Sequence, residues 1–67
     1  MDGKQMQYFT VCAQSGSFSE AARSLYTTQS NVSRVIKALE EALGMRLFER
    51  LPRGICLTPQ GEQIYRQ

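Results

Sequence analysis

The sequence predicts a small, mainly α domain with a three-helix core, a two-stranded hairpin and the start of a fourth helix. Apolar residues recur at helical spacing in three segments, and serine or threonine stands where the later helices would begin. A Pro-Arg-Gly turn also separates two short apolar runs, as in a hairpin. With 67 residues, of which 42% are hydrophobic, the chain is long enough for one compact domain.

The first helix is predicted from about Lys4 to Ser15, with Gly16 just past its end. Its apolar residues lie three or four positions apart, which favours one core-facing stripe. The residues of this stripe are Met6, Phe9, Cys12 and Ala13.

The second helix is predicted to be short and to end near Leu25. Ser17 and Glu20 have the spacing of a capping box, in which serine caps the helix and glutamate bonds back to the serine amide. One face carries the apolar residues Phe18, Ala21, Ala22 and Leu25. Because the two alanines are small, they allow another helix to cross closely.

A third helix follows the turn at Tyr26, with Thr28 as its predicted N-cap and Gly44 closing it. Five apolar residues point inward: Val32, Val35, Ile36, Leu39 and Leu43. The opposite face carries polar and basic residues: Gln29, Ser30, Ser33, Arg34 and Lys37. Acidic residues come only at the far end, as Glu40 and Glu41, which we interpret as a solvated face.

The predicted hairpin has strands at Leu47–Leu51 and Ile55–Leu57, joined by a three-residue loop. Thr58 and Pro59 then suit the N-cap and first position of a last helix. Gly61 is expected to let this helix approach the body closely, with chance placement as the alternative. Three aromatic residues are expected to anchor the core: Phe9, Phe18 and Phe48.

Composition excludes several function classes. The chain has no histidine and only two cysteines, Cys12 and Cys56, which lie far apart in the sequence. A Ser-His-Asp or Cys-His arrangement is therefore impossible, and no zinc or redox motif exists. No cofactor is implied, and we expect the chain not to be an enzyme. The N-terminus lacks a signal peptide and no apolar run is long enough to span a membrane, so we expect a cytoplasmic protein.

Two helices joined by a tight turn, the second with a polar and basic start, describe a helix-turn-helix, and the hairpin adds a wing. A helix fits the major groove of DNA, where Gln29 suits adenine, Arg34 suits guanine, and Ser33 suits a base or a phosphate. A generic helical bundle would explain the apolar stripes equally well. It would not explain why uncharged polar and basic residues concentrate at one helix start. A protein-interaction module is the rival function, but it would favour exposed leucine or isoleucine over arginine.

The chain resembles the N-terminal DNA-binding domain of LysR-type transcriptional regulators over essentially its whole length. The first matching stretches are Tyr8-Phe9, Gly16-Ser17-Phe18-Ser19 with Ala21-Ala22, and Thr28-Gln29-Ser30 with Val32-Ser33-Arg34. The later ones are Leu39-Glu40 with Leu43-Gly44, Leu47-Phe48-Glu49-Arg50, and Leu57-Thr58-Pro59 with Gly61. The order and spacing of these stretches make the resemblance specific.

This resemblance implies bacterial transcription regulation through sequence-specific binding of double-stranded DNA. It implies base contacts in the major groove from Gln29, Ser33 and Arg34, with Thr28 and Lys37 beside phosphates. It also implies that Arg53 enters the minor groove, where a narrow A·T-rich segment attracts arginine. The alternative for Arg53 is a solvated charge at a loop tip.

The resemblance further implies a division into a DNA-binding domain, residues 1–58, and the start of a linker helix, residues 59–67. In the family this helix pairs two subunits on an interrupted palindrome, and a C-terminal ligand-sensing domain follows. That domain is absent from this sequence. The alternatives are a gene that ends here and a chain cut from a longer protein, and a terminus within a helix favours the second. We expect a homodimer for the full-length protein. For this fragment we expect weak pairing, because its part of the linker helix has only two sizeable apolar residues, Ile64 and Tyr65.

The sequence departs from the family at Ser30, where proline is usual and would preset φ at the start of the third helix. Serine is less rigid and adds a hydroxyl group. Ser30 is therefore included among the predicted DNA-binding residues, with a base preference that need not match that of relatives.

Overall fold

A computed structural model describes residues 2–67 and shows four helices and one two-stranded antiparallel sheet in the predicted order. The elements are α1 (Gly3–Ser15), α2 (Phe18–Ser24), α3 (Gln29–Leu43), β1 (Phe48–Arg50), β2 (Ile55–Leu57) and α4 (Pro59–Tyr65). This arrangement confirms the predicted winged helix-turn-helix fold. In the part of the chain that the structure describes, no helix is long and apolar enough to cross a membrane.

Helix α1 begins one residue earlier than predicted because Asp2 caps it. The Asp2 carboxylate accepts a hydrogen bond from the Gln5 amide at 2.7 Å, and the Gln5 side chain accepts one from the Asp2 amide at 3.3 Å. The predicted core stripe is wrong at Met6, whose side chain is 42% exposed. Tyr8 is buried instead, because it lies next to Phe9 and one helical turn before Cys12, on the buried face of α1.

Helix α2 has half of its predicted capping box. The Ser17 hydroxyl accepts a hydrogen bond from the Glu20 amide at 3.2 Å, as expected. The Glu20 carboxylate does not complete the box but lies 3.9 Å from Arg23 on the next turn. Ala21 and Ala22 are buried between α2 and its neighbours, which confirms the role predicted for small side chains.

One hydrophobic core joins the three helices to the hairpin. The phenylalanines form its centre, with ring centroids 5.5 Å apart for Phe9 and Phe48 and 6.0 Å apart for Phe18 and Phe48. All three are buried, as predicted. Cys12 and Cys56 are free thiols, and burial raises the pKa of Cys12 to about 12. The Cys12 thiol is thus a neutral core side chain at physiological pH.

The hairpin pairs Phe48 with Leu57 and Arg50 with Ile55. Its first strand is shorter than predicted, and four residues rather than three connect the strands. The Leu51 amide closes this connection by donating to the Gly54 carbonyl at 2.9 Å.

The expectation that Glu40 is part of a solvated face is wrong. Its Oε2 atom accepts hydrogen bonds from the amides of Leu47 at 2.7 Å and Phe48 at 3.2 Å. The carboxylate therefore joins the end of α3 to the start of β1. Glu41, by contrast, is exposed as predicted.

Helix α4 begins as predicted, with the Thr58 hydroxyl accepting a hydrogen bond from the Gly61 amide at 3.0 Å. A Cβ atom at Gly61 would lie 2.3 Å from the Leu47 carbonyl oxygen, so only glycine allows this approach. Ile64 packs against the core, and the ring of Tyr65 meets Phe9 edge-on with centroids 6.2 Å apart. The apolar side of α4 thus contacts its own domain.

Candidate nucleic-acid interface

The outward face of α3 brings together five of the seven predicted site residues. They line one open depression of about 580 Å³: Gln29, Ser30, Ser33, Arg34 and Lys37. Helical geometry explains the grouping, because positions three and four apart lie on the same face. The sixth residue, Thr28, caps the helix, and its hydroxyl accepts a hydrogen bond from the Asn31 amide at 3.0 Å. Its hydroxyl hydrogen remains available to donate to a phosphate.

Gln29 is positioned by α2. The Ser19 hydroxyl donates to the Gln29 Oε1 atom at 2.9 Å. An amide oxygen has two lone pairs and the amide nitrogen has two hydrogens, so Gln29 keeps one acceptor site and its donors. These are the groups that bidentate pairing with adenine uses.

Arg34 is exposed but does not extend freely into solvent. Its Nη2 atom donates to the Oδ1 atom of Asn31, one helical turn earlier. The Asn31 amide nitrogen in turn donates to the Tyr8 hydroxyl at 3.2 Å and to the Thr27 hydroxyl at 3.0 Å. The guanidinium group is therefore connected to α1 and to the turn before α3.

Ser33 contacts the hairpin. The Arg50 Nη2 atom of β1 donates to the Ser33 hydroxyl at 3.2 Å, and the Arg50 guanidinium lies 5.1 Å above the centre of the Phe18 ring. Ser33 is half-buried and Arg50 is exposed. An additional cation thus lies at the edge of the α3 face.

The cations of the described residues divide into those that pair with a carboxylate and those that do not. Within residues 2–67, ion pairs closer than 4.0 Å involve Arg23, Arg46 and Arg66. The cations of the α3 face and hairpin lack such a partner: Arg34, Lys37, Arg50 and Arg53. Because no carboxylate of the described residues pairs with these cations, their charge is available to an anionic ligand.

Arg53 lies outside the depression, at the exposed tip of the hairpin. The hairpin is held against the helices because the Ile55 amide donates to the Gly16 carbonyl at 3.0 Å. Gly54 approaches the same carbonyl so closely that a Cβ atom there would lie 2.3 Å from it. Arg53 therefore projects from a wing that is held against the α1–α2 junction.

Two residues of this surface were not among the predicted DNA-binding residues. Arg50 belongs to the surface because of the contact between β1 and α3, and spacing along the chain does not show that contact. Asn31 stands three positions before Arg34, and side chains at this separation meet on a helix. The sequence therefore contained an indication of this contact.

The comparisons with known proteins agree with this geometry. Residues 4–62 match the family described as bacterial regulatory helix-turn-helix protein, lysR family. The transcriptional regulator TfdS of Cupriavidus pinatubonensis is 48% identical over 61 residues, which are 91% of this chain and 21% of TfdS. The transcriptional activator AmpR of Pseudomonas aeruginosa is 48% identical over 59 residues, which are 88% of this chain and 20% of AmpR. The chain thus spans about a fifth of these relatives.

Two solved structures are also similar to this chain. The DNA-binding domain of CbnR in complex with DNA has a TM-score of 0.94 and 38% identity, covering 98% of this chain and 76% of that one. The DNA-binding domain of BenM with benA site 1 DNA has a TM-score of 0.93 and 38% identity, and the match covers 98% of this chain and 74% of that one. The matching proteins are regulators, which confirms the expectation that this chain is not an enzyme. The chain belongs to the LysR family of bacterial regulatory helix-turn-helix proteins.

Proposed function

We propose that this chain binds double-stranded DNA sequence-specifically, as the DNA-binding domain of a bacterial transcriptional regulator. Helix α3 lies in the major groove and the hairpin reaches the adjacent minor groove. The two similar solved structures support this proposal, because both are complexes of related domains with DNA.

The observation that carries the proposal is the composition of the α3 face. Five exposed or half-exposed polar and basic residues line one depression at the start of this helix, and no acidic residue is among them. Gln29, Ser33 and Arg34 supply the base contacts, whereas Thr28 and Lys37 contact phosphates. Ser30 lies on the same face and contacts a base or a phosphate. The first free amides of the helix add favourable positive potential for phosphate.

The hairpin supports the second half of the proposal. Arg53 is exposed at its tip, and a narrow minor groove attracts arginine through its enhanced negative potential. A wing held by both α3 and the α1–α2 junction keeps that side chain at a fixed distance from the major-groove contacts.

The proposal also covers the division of the chain into domains and the pairing of two copies. Residues 1–58 form the DNA-binding domain and residues 59–67 belong to a linker helix, which pairs two copies on an interrupted palindrome in a longer regulator with an effector-binding domain. Such a regulator acts in the cytoplasm, where the chromosome is accessible. These assignments rest on family membership, since the chain spans only about a fifth of its relatives.

The decisive experiment is titration of random duplex DNA at several salt concentrations. Each neutralised phosphate releases counterions, so log affinity should fall with log salt at a slope of about 0.9 per contact. Lys37→Ala should reduce the slope by about 1. Arg66→Ala is the matched control, because Arg66 follows α4 and already pairs with Glu62. A flat dependence on salt would contradict DNA binding and favour a protein-interaction module.

A further inference from the structure

Asn31 connects Arg34 to the body of the domain, because its Oδ1 atom accepts from Arg34 while its side-chain nitrogen donates to Tyr8 and Thr27. We propose that Asn31 is a positioning residue that fixes the Arg34 guanidinium for base recognition. The inference rests on the proposed DNA-binding function and adds a determinant of specificity to it.

Asn31 is held from three directions. Its backbone amide donates to the Thr28 hydroxyl at 3.0 Å, and its side-chain nitrogen donates to Tyr8 at 3.2 Å and Thr27 at 3.0 Å. Tyr8 is itself buried in the core, with 8% of its surface exposed. The Asn31 side chain therefore has a fixed orientation relative to α1 and α3.

The chemistry of Arg34 determines which end of the Asn31 amide faces it. A guanidinium group has only donors, so it requires the Oδ1 atom. Tyr8 and Thr27 have hydroxyl groups, which accept from the amide nitrogen. With the amide reversed, two donor groups would face each other at Arg34. The observed orientation satisfies all three partners.

The hydrogen-bond donors of Asn31 and Arg34 show that the two residues have different roles. Both hydrogens on the Asn31 amide nitrogen are used within the protein, so none remains for a base. Arg34 has five N–H donors and uses one toward Asn31, whereas bidentate pairing with guanine requires two. Arg34 can thus contact a base without releasing Asn31.

Holding Arg34 in advance reduces the conformational freedom that it loses on binding. Immobilising a flexible side chain at an interface costs about 0.5–1.5 kcal/mol, which corresponds to roughly two- to tenfold in affinity. This gain applies only where Arg34 contacts its preferred base. Asn31 therefore affects the ratio of specific to non-specific binding more than it affects general affinity for DNA.

The test is a double-mutant cycle on the whole chain. The preferred site is first selected from a random DNA pool with the wild type, and binding to that site and to a scrambled site is then measured. We compare the wild type, Asn31→Ala, Arg34→Ala and the double variant. Asn31→Ala should lower the specificity ratio about two- to tenfold, with little further effect when Arg34 is already absent. Thermal unfolding of each variant checks the fold.

Asn31→Asp is the conservative variant, because its carboxylate can accept from Arg34 and from both hydroxyl groups. It should retain the specificity ratio while weakening binding to every sequence, since it adds negative charge. Tyr8→Phe should lower the ratio slightly, because it removes one of the two bonds to the Asn31 nitrogen.

Two results would overturn the inference: an Asn31→Ala effect of equal size with and without Arg34, or equal losses on preferred and scrambled DNA. Failure of the wild type to select any sequence would instead overturn the proposed function itself. The selection step therefore distinguishes the two failures.

Discussion

The Glu40 carboxylate lies 2.7 Å from the amide nitrogen of Leu47, and this hydrogen bond joins the end of α3 to the start of the hairpin. The same oxygen accepts from the Phe48 amide at 3.2 Å. Leu47 and Phe48 are both buried residues, and the hydrogen bonds of their amides to Glu40 are partly buried. Glu40 thus sets the position of the wing relative to the helix that we propose enters the major groove.

Glu40→Ala should lower the free energy of unfolding by about 1–3 kcal/mol, because it removes two partly buried hydrogen bonds to a charged group. Urea denaturation measures the change. Glu41→Ala is the matched control, since its neighbouring carboxylate is exposed, and should change stability by no more than about 0.5 kcal/mol. Equal effects of the two substitutions would show that Glu40 contributes only surface charge.

Gly61→Ala should also destabilise the domain, by about 1–3 kcal/mol, because its Cβ atom would overlap the Leu47 carbonyl oxygen and displace α4. Gly3→Ala is the comparison, since no atom lies within 4 Å of a Cβ at that position. It should leave the melting temperature unchanged or slightly higher. Similar melting temperatures for the two variants would contradict a close approach of α4.

Arg34→Ala should cost about 1–3 kcal/mol on the preferred DNA site and relax base choice at one position, because it removes a bidentate base contact. Lys37→Ala should instead weaken binding to all sequences about equally. Fluorescence titration with preferred and scrambled duplexes distinguishes the two effects. If both variants lose the same factor on both duplexes, the proposed division between base and phosphate contacts is wrong.

Arg53→Ala should chiefly remove any preference for A·T-rich DNA beside the major-groove site, leaving the central preference intact. Arg53→Lys keeps the charge at the wing tip and should retain part of that preference. Footprinting on duplexes with A·T-rich and G·C-rich flanks measures the change. Equal flank protection in the wild type and Arg53→Ala would indicate a solvated wing tip.

The free chain should be monomeric at micromolar concentration, as sedimentation can show. Burial of Ile64 and Tyr65 would contribute about 1.5–3 kcal/mol per side chain at most, whereas association costs about 4–15 kcal/mol. The structure strengthens this prediction, because Ile64 packs against the core and Tyr65 contacts Phe9. A stable dimer in solution would refute it.

Two adjacent half-sites should nevertheless bind two copies with positive cooperativity, because the DNA raises the effective concentration of the second copy. Titration against duplexes with one and two half-sites tests this expectation. Identical affinity per half-site would show that α4 contributes no pairing.

Local sequence patterns determined the elements of this protein. Ser17, Thr28 and Thr58 each cap the predicted helix, because a capping hydroxyl acts on an amide three residues later and needs no distant partner. The apolar spacing likewise identified the buried faces of α2 and α3. The grouping of Gln29 with Ser33 and Lys37 follows from the same helical period.

Contacts between distant segments were decided only by the tertiary structure. Glu40 has the sequence features of a solvated residue, yet it caps the hairpin amides once α3 and β1 meet. Arg50 reaches Ser33, and Asn31 reaches Tyr8, through packing that no local pattern contains. Sequence periodicity determines which side of an element faces inward, whereas the partners of polar side chains depend on how the elements pack in three dimensions.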